Sequence, residues 1–447
     1  MEIRTRVFLF FFLTTCLAVT ACQPAAVQPE TLIQTPILPS SEQLEAAPTE
    51  TAVPQATEIY GNILTSDSFG NGSSLCRAES NTSAFILACS DNELTISQSE
   101  DRRKVDITII RELPLQTGSA SIEVEALSTP AQGVKSDQNG YGFFVVNENG
   151  QFHALRMANQ FFEFETWSMN GEVKIESKTN LAFSPLIKPA GQSNSLRMDC
   201  SPSGCDFFVN GSLVGRTLAG INGQANAVGL FAASSWNQKF GEVKFNNLHV
   251  YTLLENHLVT PPYQLEDTLS GSSTPFAGTG LSGAFNRYET DGFHFSPVIP
   301  YGNYSVKSGP ALGDVSVGVT IKMEIKPGVS GSRYAGVVCR SSQDGMVMAV
   351  IRADGTYTIY RDTPKHPFAL LAKKASDAIL PGLADNKLRL ECIGDQINFY
   401  INETQVETLT DKRFGLRFGR AGLFTKAGGT PDPNAVVFSD FSITEVR

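Results

Sequence analysis

The sequence predicts an all-β protein made of two tandem antiparallel β-sandwiches. Its 447 residues are too many for one ordinary core and enough for two or three domains. Short alternating apolar runs are separated by turn dipeptides such as Asn149-Gly150, Asn210-Gly211 and Asp354-Gly355, and no helical periodicity holds for more than a turn or two. One open sheet of this size would leave a face bare, so we expect two sheets in each domain.

The composition indicates a globular chain and argues against nucleic acid as a partner. Apolar residues make up 41% of the sequence and charged residues 18%, which is typical of a folded protein. The 35 basic residues against 45 acidic residues give a formal net charge of −10. Phosphate neutralisation needs clustered Lys and Arg, so we expect no nucleic-acid binding.

Residues 1–21 predict a lipoprotein signal peptide. A basic start precedes an apolar run from Val7 to Val19, which is too short to span a membrane but suits the core of a signal peptide. The run ends in small residues and Cys22, a pattern that resembles a bacterial lipobox and implies lipidation of that thiol. The alternative is an ordinary signal peptide with an incidental cysteine. Lipidation predicts an extracytoplasmic protein anchored to a bacterial membrane.

Residues 22–58 predict a disordered tether. After Cys22 the segment is rich in Pro, Thr and Glu and contains no aromatic or basic residue. Such a composition cannot bury enough apolar area to offset the entropy of ordering the chain. We therefore expect an extended acidic spacer that holds the folded part away from the membrane surface.

An internal repeat divides the remaining chain into two domains. The segment Asn194–Cys200 matches Asn386–Cys392, and Gly229–Phe231 matches Gly422–Phe424. Both order and spacing agree between the copies. The repeat predicts one sandwich over 59–253, a linker over 254–264 and a second sandwich over 265–447.

Several short motifs recur in a known superfamily. In the second half they are Asp267, Tyr288–Phe295, Gly336–Arg340, Asp354–Tyr360, Asn402 and Gly422–Phe424, and in the first half Asp67–Phe69, Tyr141–Phe144, Asn210-Gly211 and Gly229–Phe231. On these residues each half resembles the concanavalin A-like lectin and glucanase superfamily, whose jelly-roll sandwich is shared with laminin G-like domains. The resemblance implies two jelly rolls. For function it is less specific, because the superfamily includes lectins, glycosidases, adhesion modules and 3-keto-disaccharide hydrolases.

Six cysteines beyond Cys22 predict three disulfide bonds, because their number is even and the chain is exported. The repeat makes Cys200 and Cys392 equivalent, whereas Val145 stands where the second half has Cys339. We therefore expect the pairs Cys339–Cys392, Cys200–Cys205 and Cys76–Cys89. Metal binding is the alternative use of cysteine, but it needs close CxxC or Cys/His spacings that the sequence lacks.

The usual catalytic signatures are missing from the sequence. There is no G-x-S-x-G elbow, H-E-x-x-H, P-loop or G-x-G-x-x-G after a strand. The histidines at positions 153, 249, 257, 294 and 366 are scattered singly, so we predict no metal site and no cofactor. Structural calcium leaves no spacing signature here and stays open.

The segment from Phe152 to Trp167 predicts a β-hairpin with a turn at Asn159-Gln160. Strand alternation would send Leu155, Met157, Phe162 and Phe164 to the core. The opposite, outer face would carry the candidate ligand-binding residues Arg156, Glu163, Glu165 and Trp167. In the second half, the equivalent face is expected to be more apolar and to carry Val347, Ala349, Ile351, Thr358 and Tyr360.

This hairpin supports three hypotheses about chemistry. An exposed ring beside hydrogen-bonding charges is typical of a shallow sugar site. Two carboxylates about 7 Å apart on one strand also fit the separation used by inverting glycosidases. However, Ser168 stands where superfamily glucanases carry a third carboxylate in E-x-D-x-x-E, and another E-x-E occurs at Glu123–Glu125. The third hypothesis is a solvated face with a cross-strand Arg156–Glu163 pair.

The sequence favours a non-catalytic binding or adhesion module on a membrane-anchored lipoprotein, with a glycan or another surface polymer as ligand. One alternative is a divergent sugar hydrolase of the same superfamily, either 3-keto-disaccharide hydrolase-like or glucanase-like. The other is a structural spacer of the cell envelope. Catalysis is left open.

Overall fold

The described part of the chain is built from β-strands. The computed structural model describes residues 60–70, 85–98, 106–130, 140–169, 173–217, 220–221, 223–234, 241–254, 262–271, 276, 284–327, 333–412, 417–429 and 435–447. Within these ranges every regular element is a strand, and the strands pair antiparallel except at one parallel contact, Gly215 with Ala311. The prediction of an all-β, antiparallel fold is confirmed.

The first half alternates buried and accessible positions along its strands, as the sequence pattern requires. Its strands are β1 (Tyr60–Asp67), β2 (Phe85–Ser90), β3 (Glu93–Gln98), β4 (Asp106–Thr117), β5 (Ala120–Thr129), β6 (Gly140–Asn147), β7 (Phe152–Ala158), β8 (Phe161–Met169), β9 (Val173–Lys178), β10 (Ala182–Phe183), β11 (Asn194–Ser201), β12 (Gly204–Val209), β13 (Ser212–Thr217), β14 (Ala225–Ser234) and β15 (Glu242–Leu253).

These strands form two sheets. Sheet 1a has the order β2-β3-β15-β5-β11-β12-β13, with β1 on β15, and sheet 1b has the order β10-β8-β7-β6-β14-β4, with β9 on β8. The core holds buried side chains of both sheets, among them Ile122, Phe143, Phe162, Phe207 and Phe245. Strand alternation supplies this packing, because every second side chain of each strand points to the same face.

The second half begins with a short strand. Its strands are β16 (Gln264–Asp267), β17 (Ala284–Glu289), β18 (Gly292–Pro297), β19 (Asn303–Leu312), β20 (Val315–Lys322), β21 (Tyr334–Ser342), β22 (Gly345–Arg352), β23 (Thr356–Asp362), β24 (Ala369–Ala375), β25 (Asp385–Ile393), β26 (Gln396–Ile401), β27 (Thr404–Thr410), β28 (Gly419–Lys426) and β29 (Val437–Glu445).

Two further sheets follow from these strands. Sheet 2a has the order β17-β18-β29-β20-β25-β26-β27, with β16 on β29, and sheet 2b has the order β19-β28-β21-β22-β23-β24. A second core contains Val317, Val337, Ile359, Leu390 and Phe399. Sheets 1b and 2b are counterparts. Gly142 and Gly336 each lie three residues before the equivalent positions Val145 and Cys339, in β6 and β21.

The repeated glycines are required by close strand approach. A Cβ atom on Gly142 would lie 1.8 Å from the carbonyl oxygen of Leu155, and one on Gly336 would lie 2.0 Å from that of Ala349. No larger residue fits at either position without backbone movement. Gly142 pairs with a residue of β7, and Gly336 pairs with a residue of β22. The outer faces of sheets 1b and 2b can therefore be compared position by position.

The two halves are in direct contact. The parallel pairing of β13 with β19 joins the edge of sheet 1a to the edge of sheet 2b. The Phe418 ring lies 6.0 Å from the ring of Phe162 and belongs to the first core. Arg216, held by Asp206, donates a hydrogen bond of 2.8 Å to Glu445 from buried positions on both sides. The described residues between 60 and 447 therefore form one compact unit.

Two of the predicted disulfide bonds are present. Cys200 is bonded to Cys205, and Cys339 is bonded to Cys392. Cys89 is also disulfide-bonded, while its predicted partner, Cys76, lies outside the described residues.

Other predictions concern residues that the structure does not describe. The signal peptide, Cys22, the tether over 22–58 and most of the linker over 254–264 lie outside the described ranges, so their assignment stays a prediction. Among the described residues, none forms a helix long and apolar enough to cross a membrane.

Candidate functional site

The β7–β8 hairpin has the predicted register. The turn falls at Asn159 and Gln160, and Asn159 adopts the left-handed conformation (φ +54°) that Asn tolerates in tight turns. Facing pairs across the hairpin are Met157–Phe162, Arg156–Glu163, Leu155–Phe164, Ala154–Glu165 and Phe152–Trp167. The four candidate residues therefore lie on the outer face of sheet 1b, as predicted.

The expected exposure of Trp167 is wrong. Its side chain is fully buried, at 0% exposure, and its ring lies 4.7 Å from that of Phe231 in an edge-on contact. The outer face of sheet 1b has its own apolar cluster, which consists of Phe144, Val146, Phe152, Ala154, Trp167, Ala227, Phe231 and Ala233. Alternation gives the side of the sheet to which a ring points, but it does not say whether that side is open to solvent. Trp167 cannot act as an exposed stacking platform.

The four candidate residues form one polar cluster beside these rings. The Trp167 indole Nε1 donates a 2.7 Å hydrogen bond to Glu165 Oε2. Arg156 Nη1 lies 3.4 Å from Glu163 Oε1 and 3.6 Å from Glu165 Oε1. The guanidinium thus bridges both carboxylates, and Trp167 orients one of them.

A fifth residue, Lys178, completes the cluster. It lies on β9 opposite Glu165, and its Nζ is 3.5 Å from Glu163 Oε2. The sequence hypothesis missed it, because the hairpin from Phe152 to Trp167 does not determine which residues of a further strand pair with it. No motif in the sequence pointed to Lys178.

The pKa of Glu163 is unusual for a carboxyl group. Burial, followed by repulsion from Glu165, raises the pKa of Glu163 to about 7, although Lys178 and Arg156 act in the opposite direction. Glu163 therefore exchanges a proton near neutral pH, which is the property required of a general acid or base and of a switchable hydrogen-bond donor.

Only the charged edge of the cluster is accessible. The Arg156 side chain is 24% exposed and that of Lys178 is 58% exposed, whereas both glutamates and Trp167 are buried. A ligand can thus reach the cluster from the side of Arg156 and Lys178, but not through the aromatic rings.

A cavity of about 120 Å³ lies behind the hairpin, on the core side of sheet 1b. Phe164 and Met198 of the first core line it, together with His153 and Thr166, which alternate with the outer-face positions of β7 and β8. Burial lowers the pKa of His153 to about 4, so this imidazole is neutral at pH 7. The cavity and the carboxylate cluster therefore lie on opposite faces of the hairpin.

The described residues also bring one group of potential metal ligands together in the β17–β18 hairpin. Ligand atoms of Glu289, Asp291 and His294 lie within 4.8 Å of one another, and His294 Nε2 is 2.8 Å from Asp291 Oδ1. Arg287 contacts Glu289 and offsets part of the negative charge. Histidines were expected singly, and the sequence did not single out this group, because the hairpin places its members together.

On the outer face of sheet 2b, the outward-facing residues of β22 are shifted by one position from those predicted. Val347, Ala349 and Ile351 belong to the second core, which corrects their expected outward orientation. The outer face carries Met346, Met348 and Val350 from β22, with Thr358 and Tyr360 opposite Val350 and Met348. A shift of one residue exchanges the two faces of a strand, and the Gln343-Asp344 turn, with a pairing irregularity between Cys339 and Ser342, sets the actual register.

Comparisons with known proteins give little beyond the general architecture. No family model matches the chain, and no curated protein is similar to it. Among solved structures, the carbohydrate binding module CBM66 from Bacillus subtilis is 14% identical, with 37% of this chain and 98% of that chain covered and a TM-score of 0.29. A GlcNAcα1-4Gal releasing endo-β-galactosidase from Clostridium perfringens is 10% identical over 91% of this chain and 100% of that chain, with a TM-score of 0.36. At these TM-scores the likeness says nothing about the site.

Proposed function

We propose that the chain is an extracytoplasmic, lipid-anchored protein that binds a glycan at the outer edge of sheet 1b. The observation that supports this is the cluster of Arg156, Glu163, Glu165 and Lys178. Sugar hydroxyls accept hydrogen bonds, and the accessible edge of the cluster offers the donors Arg156 and Lys178, which the buried carboxylates hold in position.

The cluster is not explained well as a stabilising ion pair. Glu165 Oε1 and Arg156 Nε are buried and have no hydrogen-bond partner among the described residues. Burying carboxylates costs free energy, and incompletely satisfied buried groups are expected at functional sites rather than in optimised cores. In this proposal Trp167 is a positioning residue, since its indole fixes Glu165.

The location of the protein is part of the same proposal. Cys22 would carry the lipid, and the acidic segment over 22–58 would hold the sandwiches away from the membrane. A binding face at a distance from the membrane suits a ligand on a neighbouring surface polymer. Cys22→Ala is expected to leave the protein in the soluble fraction, whereas retention on membranes after high-salt washing would contradict the anchor.

A sugar hydrolase is the second candidate, and the pKa of Glu163 favours it. A carboxyl group that titrates near 7 beside a second carboxylate matches the acid and base pair of glycosidases. The two candidates make different predictions for Glu163→Gln. A hydrolase would keep its ligand and lose turnover, whereas a binding protein would lose affinity and show no product with either variant.

The test is an array of neutral and charged oligosaccharides with the full-length protein, followed by titration of the ligand that binds. Lys178→Ala is expected to weaken binding about tenfold, because it removes a charge-assisted hydrogen bond. Lys174→Ala is the matched control on the same strand, since Lys174 contacts Glu176 instead. Equal affinities of the two variants, or no binding to any sugar, would overturn the proposal.

A further inference from the structure

The outer face of sheet 2b carries two neighbouring cations. Lys307 on β19 lies opposite Gly422 of β28, and Arg420 lies two residues earlier on β28. Val306 and Ala421, their chain neighbours, are in the second core. Because side chains alternate along a strand, Lys307 and Arg420 point away from that core.

Arg420 is fixed against the backbone of β19. Its Nε donates a 3.0 Å hydrogen bond to the carbonyl of Gly309, and its Nη2 donates one of 3.2 Å to the carbonyl of Lys307. The guanidinium is thus held beside the lysine that it repels. Its Nη1 has no hydrogen-bond partner in the described part of the chain.

Neither cation has a carboxylate partner within salt-bridge distance among the described residues. Burial and then repulsion from Arg420 lower the pKa of Lys307 to about 8, with only partial compensation by Asp362. Burial also lowers the pKa of Arg420 to about 10. Two like charges in a poorly solvated place destabilise each other, and a bound anion would relieve both effects.

A buried apolar cluster lies next to these cations, beneath an exposed aromatic ring. Val338, Met348, Val350 and Phe424 form the buried cluster on the outer face of sheet 2b. The Phe368 ring lies 6.4 Å from the Phe424 ring, and Phe368 is 39% exposed. An exposed ring of this kind can cover the apolar C–H face of a sugar ring.

We propose that the outer face of sheet 2b binds an acidic glycan, with a carboxylate or sulfate group against Lys307 and Arg420 and a sugar ring over the exposed Phe368 ring. The whole chain has a net charge of −10, so nonspecific attraction of polyanions to the protein is disfavoured, and the attraction is local. This site lies in the second half and goes beyond the proposed function of sheet 1b. Either site can exist without the other.

The test uses the full-length protein and four probes: oligogalacturonate, dextran sulfate, neutral dextran and poly-glutamate. We expect binding of one or both acidic glycans, which distinguishes the carboxylate from the sulfate, and no binding of poly-glutamate. Any binding of dextran belongs to sheet 1b and should be unchanged by Lys307→Gln. Equal binding of poly-glutamate would overturn the assignment to a sugar. Binding of neither acidic glycan would overturn the site itself.

Variants then locate the site. Lys307→Gln should weaken binding of the acidic glycan about tenfold, through loss of a charge-assisted contact. Lys387→Gln removes an exposed charge from sheet 2a and should not weaken this binding. If Arg420→Gln fails to fold, Arg420→Lys replaces it; this variant keeps the charge and should retain most of the affinity. Equal effects of Lys307→Gln and Lys387→Gln would contradict the proposal.

Lys178→Ala separates this site from that of sheet 1b, because it should leave acidic-glycan binding unchanged.

Discussion

The outer faces of sheets 1b and 2b share a backbone plan and differ in chemistry. In sheet 1b Gly142 pairs with Arg156, which faces Glu163. In sheet 2b Gly336 pairs with Val350, which faces Thr358. The fold requires the glycine in both halves, but it does not specify the side chains that face it on the next two strands. The charged cluster of sheet 1b is therefore an addition to the scaffold rather than a part of it.

The position of the charges differs as well. Sheet 1b carries carboxylates and cations together at the β7–β9 edge, over buried rings. In sheet 2b, Lys307 of β19 and Arg420 of β28 have no carboxylate within salt-bridge distance among the described residues, and the exposed ring of that face is Phe368. The difference implies that the two faces bind ligands of different charge, and each prediction below tests one part of it.

The largest effect is expected at the buried ring. Trp167→Ala should destabilise the protein by about 3–5 kcal/mol, because it leaves a cavity in the cluster around Phe231. Tyr360→Ala, at a half-buried border position of sheet 2b, should cost about 1 kcal/mol. Urea unfolding of both variants gives the comparison. Equal costs would mean that the two outer faces are packed alike, against the structure.

The disulfide bonds provide a second comparison between the halves. Cys339 and Cys392 are 53 residues apart in sequence, whereas Cys200 and Cys205 are 5 apart. Loop entropy predicts that removing the long-loop bond costs about 4 kcal/mol and removing the short-loop bond about 2 kcal/mol. Both losses can be measured by thermal unfolding of two double variants. One combines Cys339→Ser with Cys392→Ser, and the other combines Cys200→Ser with Cys205→Ser. A larger loss for the short loop would contradict the entropic account.

A third effect is a dependence of stability on pH. The pKa of Glu163 is raised from 4.5 to about 7 in the folded state, so between these pH values the folded chain holds a proton that the unfolded chain has lost. Its contribution is present below pH 4.5 and is lost as the pH rises towards 7. His153, whose pKa is lowered to about 4, has the opposite dependence and is unchanged by Glu163→Gln.

The difference between wild type and Glu163→Gln isolates the Glu163 contribution. Unfolding free energies at pH 5 and pH 7.5 should show that wild type loses more stability than the variant as the pH rises. Thr358→Val at the matching position of sheet 2b should leave the pH dependence unaltered, since Thr does not titrate. If the free energy of unfolding fell equally in wild type and Glu163→Gln, a group other than Glu163 would be responsible for the pH dependence.

The sequence predicted those features that local interactions determine. The β7–β8 register follows from a two-residue turn at Asn159, which fixes every pair across the hairpin. Two disulfide bonds follow from the repeat, because the equivalence of Cys200 and Cys392 showed which half lacked a second partner. In both cases the deciding residues are close in sequence or are repeated.

Other features depend on contacts between distant residues. The burial of Trp167 depends on Phe231, which lies on another strand of the sheet, and strand alternation carries no information about such cover. The cluster includes Lys178 only because β9 pairs with β8. Lys307 and Arg420 are more than 100 residues apart in the sequence, so their juxtaposition follows from the pairing of β19 with β28.

Hydrogen exchange of the full-length protein with a bound neutral glycan tests the central claim most directly. Amide protection reports where a ligand orders or covers the backbone. The account predicts that a neutral sugar slows exchange in β7, β8 and β9, and that Lys178→Ala abolishes this protection while Lys174→Ala does not. Protection confined to β19–β24 of sheet 2b, or unchanged by Lys178→Ala, would contradict the assignment of the site to sheet 1b.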